Sequence, residues 1–98
     1  MSNVKILKLM SGEEVIGEVT TIDALHVVKN ATSIIYQQTE KGLGAGLAPY
    51  MPYVEGDIEI RDAAVASFGV PGKEMLNQYN SIFGAGIVIA GANEMPIS

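Results

Sequence analysis

The chain contains one histidine, His26, and no cysteine. That removes thiolate metal sites and thiol nucleophiles, and leaves a single imidazole for any nucleophile–base pair. Glu13 and Glu14 are adjacent, so on a strand they point to opposite sides and do not form a carboxylate pair. Glu55, Asp57 and Glu59 fall on one side of a possible strand. They could meet a cation there, or simply form a solvated face. Gly42, Gly44 and Gly46 suggest a phosphate cradle by spacing, but the stretch that follows contains Pro49 and Pro52. Prolines so placed forbid the helix that a dinucleotide fingerprint needs after its glycines. The glycines therefore read as a turn over Glu40–Gly46. Asn30-Ala31-Thr32 is a glycosylation acceptor only in a secreted protein. No enzyme, cofactor or metal is expected from these residues.

Charge narrows the partners. Six Lys and Arg stand against 11 Asp and Glu, a formal net charge of −5. Nonspecific affinity for nucleic acid comes from cationic neutralisation of phosphates, and this balance opposes it. Lys5, Lys8, Lys29 and Arg61 could make a local basic spot, but they form no basic run. Apolar residues are 48% of the 98, yet no apolar run reaches the length of a membrane span. The excess belongs in a core or an interface. The opening MSNVKILKL lacks the apolar centre of a signal peptide. A cytoplasmic protein with no membrane partner is the expectation.

The elements that must position these groups are mostly strands. Leu7 and Leu9, then Val15 and Val19, alternate on either side of Ser11-Gly12, and Asp23-Ala24 breaks the second run. Period-two alternation cut by Gly, Ser and Asp marks short antiparallel strands, predicted over Val4–Met10, Glu14–Ile22 and Leu25–Lys29. Gly17 inside the second strand implies a bend or a close backbone approach. Thr32–Thr39 is rich in β-formers, and Pro49 and Pro52 place Leu47–Val54 on an edge, at a bulge or in irregular structure. Glu55-Gly56-Asp57 is read as a turn, and alternation resumes at Ile58, Ile60, Val65 and Phe68. Lys73–Phe83 carries helical spacing, with Met75, Leu76, Tyr79, Ile82 and Phe83 on one face. One domain over residues 1–84 is expected, with 85–98 as a tail in which Ile87-Val88-Ile89 could add an edge strand or dock on a neighbour.

Two blocks carry a resemblance. In the first, Leu7 and Leu9 precede Gly12, and Val15, Gly17, Val19, Ile22 and Asp23 follow. In the second, Ile60-Arg61-Asp62-Ala63-Ala64-Val65 places an apolar residue and Arg before small residues and another strand. Together they resemble the two signatures of the Sm-like (LSm) family. Two departures stand out: His26 replaces an expected Asn, and Asp62 stands where the family has Gly. Asp tolerates the left-handed conformation, so a tight turn remains available at Asp62, and a local Arg61–Asp62 contact could neutralise the cation. The family also usually carries its helix before the first strand, whereas here it follows the last.

The resemblance implies a mainly β protein, a small, strongly bent, antiparallel five-stranded sheet of the Sm-like, SH3-like barrel type, followed by one C-terminal helix. It implies a cyclic homo-oligomer formed by head-to-tail edge pairing. It also implies single-stranded, uridine-rich RNA at the ring pore, with Asp23, His26, Arg61 and Asp62 as the RNA-facing set. A competing reading places His26 on the solvent side of its strand. Short Sm-like proteins with a trailing helix look like those carried by phages, which would put the protein in a host cytoplasm. The alternative function is a structural or protein-interaction ring that binds no nucleic acid.

Overall fold

The computed structural model describes residues 3–83, so the tail expected over 85–98, with Ile87-Val88-Ile89, lies outside the described residues. It contains strands β1 (Val4–Leu9), β2 (Glu14–Ile22), β3 (Leu25–Thr39), β4 (Gly42–Pro49), β5 (Ile58–Arg61) and β6 (Val65–Gly69). A 3-10 turn at Asp62–Ala64 joins the last two, and helix α1 (Lys73–Phe83) follows. Every pairing is antiparallel, in the order β4-β3-β2-β1-β6, with β5 also on β3. The protein is thus a mainly β, antiparallel sheet of six strands with one C-terminal helix, where five strands were expected.

The extra strand arises from the middle of the chain. The two strands predicted over Leu25–Thr39 are one continuous β3. Its outer edge is shared end to end: Leu25–Val28 pair with β5, and Thr32–Thr39 pair with β4. The expected turn over Glu40–Gly46 shrinks to the two residues before Gly42, whose φ of 113° suits only glycine. The glycines at 42, 44 and 46 lie in a strand because the long arm of β3 offers each a ladder partner.

A bulge explains how β3 stays continuous. Glu18 pairs with Lys29 and Ile16 with Thr32, so Gly17 alone faces Asn30 and Ala31. Asn30 takes φ 57°, the left-handed conformation that Asn tolerates better than most residues. A bulge shifts strand parity by one residue. Val28 can therefore serve one core while Ile34 serves another, although both fall on even positions. Gly17 is required opposite the bulge: a Cβ there would overlap the Val28 Cγ1 methyl and lie 3.0 Å from the Lys29 carbonyl oxygen.

The two cores occupy opposite faces of the sheet. Leu7, Leu9, Val15, Val19, Val28, Ile58 and Ile60 form one. Val4, Ile16, Ile34 and Tyr79 form the other, with Met75, Leu76 and Phe83 packed against it. Val15 and Ile16, adjacent on β2, are both fully buried, one in each core. The helix covers the second core through the predicted face, except that Ile82 is exposed. Phe68, expected to continue the inward alternation, is also exposed, because the 3-10 turn resets the phase between β5 and β6.

Tyr79 is the central residue of the helix–sheet contact. Its ring is fully buried and its hydroxyl donates toward the carbonyls of Asn30 (3.2 Å) and Lys29 (3.4 Å). Thr32 Oγ1 donates to the same Asn30 carbonyl at 2.9 Å. The helix thus reaches the backbone at the bulge, where Asn30 has no partner in the β2–β3 register. Burial, with the nearby charge of Glu18, pushes the Tyr79 phenol up to about 12.

Candidate nucleic-acid interface

The two sequence blocks end at the same place. The β2–β3 hairpin turns through Asp23-Ala24, with Asp23 at φ 55°, a positive φ at the first loop position as in a tight two-residue hairpin. β5 runs antiparallel to the start of β3, placing Arg61 opposite Leu25 and Ile60 opposite His26. The Asp62 amide donates to the Ala24 carbonyl at 2.8 Å. The β2–β3 tip and the β5–β6 corner therefore form one end of the sheet, and Asp23, His26, Arg61 and Asp62 all lie there.

His26 is not on the solvent side of its strand. It is 4% exposed, and both ring nitrogens are engaged: Nδ1 with Thr21 Oγ1 at 2.9 Å and Nε2 with Asp62 Oδ1 at 2.8 Å. With Nε2 carrying the proton, Nε2–H donates to the carboxylate and the Thr21 hydroxyl donates to Nδ1, so every group is satisfied. The ring also lies 5.9 Å from that of Phe68. His26 thus ties β2, β3 and the 3-10 corner together from inside, and its ring face is not free to stack on a base.

Two expectations about Asp62 change accordingly. Its φ is not positive, since among non-glycine residues only Asp23 and Asn30 have positive φ in the described chain; it opens a 3-10 turn instead of occupying a left-handed position. Its carboxylate contacts His26, not Arg61. Arg61 is exposed and makes no ion pair among the described residues. The groups presented to solvent at this end are therefore one guanidinium, Arg61, beside the carboxylates of Asp23 and Asp62.

Sequence reasoning missed Thr21, the third member of the His26 bridge. The available signal was its register: in a two-residue hairpin across Asp23-Ala24, Thr21 faces His26 directly. Glu55, Asp57 and Glu59 are exposed, and no group of three or more His, Cys, Asp or Glu able to hold a metal ion exists among the described residues. No described helix is long and apolar enough to cross a membrane.

The outer strands complete the surface. β4 pairs only with β3, and β6 only with β1, among the described residues. Each edge carries exposed apolar side chains: Leu43 on β4, and Phe68 with the following Val70 at β6. No protein-family model matches this chain, and no curated protein is significantly similar to it.

Proposed function

We propose that this chain is a ring-forming subunit of Sm-like build that holds single-stranded, uridine-rich RNA weakly where Asp23 and Arg61 meet. The observation that carries the reading is the convergence of the two signature blocks. They are separated by more than thirty residues of sequence, yet Asp62 hydrogen-bonds to Ala24, and Arg61 stands opposite Leu25. The pinning of Asp62 by His26 also leaves Arg61 exposed and without an ion pair among the described residues, as a residue stacking on a base would be.

The strongly bent, barrel-like arrangement belongs to this reading. β5 lies on β3 and β6 on β1, yet only the Asp62–Ala64 turn separates them. So short a connection between distant members of the sheet supports a curled arrangement. The edges of β4 and β6 are different surfaces, so pairing them between subunits is heterologous and closes into a ring when the rotation permits. It would also cover edges that otherwise invite aggregation. Repetition around a ring places several weak sites together, which raises avidity.

A second reading, a structural or protein-interaction ring without RNA, is favoured by one observation: two carboxylates flank the single guanidinium in a chain of net charge −5. Fluorescence anisotropy with a short uridine-rich RNA at low and moderate salt separates the two. Arg61→Ala should lose on the order of tenfold in affinity, the scale of one stacking contact. Asp62→Asn removes the charge but keeps an acceptor for His26 Nε2–H, and should bind more tightly. No binding by the wild type at low salt, and none gained in Asp62→Asn, would leave the structural ring.

A further inference from the structure

The outer edge of β3 has a gap. β5 pairs with it up to Val28 and β4 from Thr32 onward, so residues 29–31, at the bulge, belong to neither pairing. The chain between β4 and β5 swings past this gap, held by the Tyr50 amide on the Ala31 carbonyl at 3.2 Å. A cavity of about 450 Å³ lies there, within the range of small-ligand sites. Its lining is mixed: Met51, Val54, Ile58 and Phe83 are apolar, while Lys29 and Asp57 carry opposite charges. The wall is preformed. Pro49 and Pro52 fix their own φ, the Val54 amide closes a turn onto the Met51 carbonyl at 3.1 Å, and Gly56 holds a φ of 88° that suits glycine.

We propose that this cavity binds a small zwitterion, an α-amino acid with an apolar side chain, with its carboxylate on Lys29 and its ammonium on Asp57. Continuing the β3–β5 register one step beyond Val28 and Ile58 brings Lys29 level with Asp57. The two therefore stand across the gap from each other, yet neither makes an ion pair among the described residues. An α-amino acid carries its two charges on one carbon and answers both at once. A simple carboxylate would meet Asp57, and a simple amine would meet Lys29, each with a repulsive neighbour. The ligand's side chain would cover Met51 and Val54, now 45% and 42% exposed, and the half-buried Phe83. The proposal does not depend on RNA binding.

The test is a titration of the full-length, ¹⁵N-labelled protein with L-phenylalanine, followed by amide chemical shifts. Two partial ligands run beside it: 3-phenylpropionate, which lacks the ammonium, and phenethylamine, which lacks the carboxylate. L-Phenylalanine should give saturable shifts at millimolar concentration, centred on Lys29, Ala31, Val54 and Asp57. Each partial ligand should bind on the order of tenfold more weakly, the scale of one charge-assisted hydrogen bond. Lys29→Met and Asp57→Asn should each weaken L-phenylalanine by a similar factor. Asp57→Asn should at the same time tighten 3-phenylpropionate, an inversion that mere loss of structure does not produce. Glu55→Gln removes a neighbouring charge outside the lining and should change nothing. Three results would each overturn the proposal: no saturable shift in the wild type, a partial ligand that binds as tightly as L-phenylalanine, or shifts centred on Asp23 and Arg61 instead.

Discussion

Gly17→Ala should destabilise the protein even though alanine is ordinarily better in a strand. The φ of Gly17 is not in the positive range, so no backbone strain opposes the change. Reduced freedom of the unfolded chain would by itself stabilise by about 0.4–1 kcal/mol. Against this stands the space. The new Cβ would overlap Val28 Cγ1, lie 3.0 Å from the Lys29 carbonyl and 3.4 Å from the Ala31 Cα. Two of these three neighbours are backbone, and Val28 is fully buried, so relief requires moving the bulge. Overpacking of this kind costs about 1–3 kcal/mol, and the net loss should be on the order of 1–2 kcal/mol. Gly46→Ala is the internal contrast. It also has ordinary φ, but no atom of the described chain lies within 4 Å of its Cβ, so it should be neutral or slightly stabilising. Urea unfolding of both variants provides the comparison, read as a change in midpoint at constant slope. A double variant with Val28→Ala should show positive coupling, since that truncation removes the overlapping methyl. Gly17→Ala at wild-type stability or above would refute the account of the bulge.

Three further outcomes follow from the bridge, the helix and the interface. Thr21→Val leaves Nδ1 of the buried His26 without a donor and should cost about 1–3 kcal/mol in urea unfolding; Thr21→Ser should retain most of the stability. Tyr79→Phe removes the hydroxyl from the bulge carbonyls and should cost about 0.5–1.5 kcal/mol at neutral pH. The same variant changes the alkaline limb. The Tyr79 phenol ionises at its ordinary value of 10.0 when unfolded but at about 12 when folded, so its contribution is complete below pH 10 and is lost as pH rises through about 12. Melting temperatures between pH 9 and 12 should therefore fall less steeply for Tyr79→Phe than for wild type; identical slopes would contradict the burial of the phenol. In RNA titrations, Arg61→Ala should weaken binding and Asp62→Asn strengthen it, and the reverse order would remove Arg61 from the site.

Strong local patterns were legible in the sequence, and compensated ones were not. β2 and α1 have the predicted bounds, because alternation and helical spacing there are uninterrupted. Asp23 was marked as a turn by its own chemistry. The predicted strands stop at Lys29 and resume at Thr32, whereas the positive φ that Asn30 tolerates serves a bulge inside one continuous strand. Gly42–Gly46 suggested a turn because glycine weakens strands, but ladder pairing to the long arm of β3 outweighs that preference. Nothing in local pattern announces that His26 is buried, because its burial depends on partners from two other elements, Thr21 and Asp62. The assembly of Asp23, Arg61 and Asp62 at one end was expected only from the family resemblance. The hydroxyl of Tyr79 left a trace in the sequence, a tyrosine in the middle of an otherwise apolar helix face, but its acceptors exist only once the bulge forms.

The central proposal is that the edges of β4 and β6 left unpaired among the described residues are covered by neighbouring copies in a closed ring. Native mass spectrometry at micromolar concentration tests it most directly. One dominant species at an integer multiple, three or greater, of the 10.4 kDa chain is predicted. A species at 10.4 kDa, or an open ladder of increasing sizes with no preferred member, would contradict it.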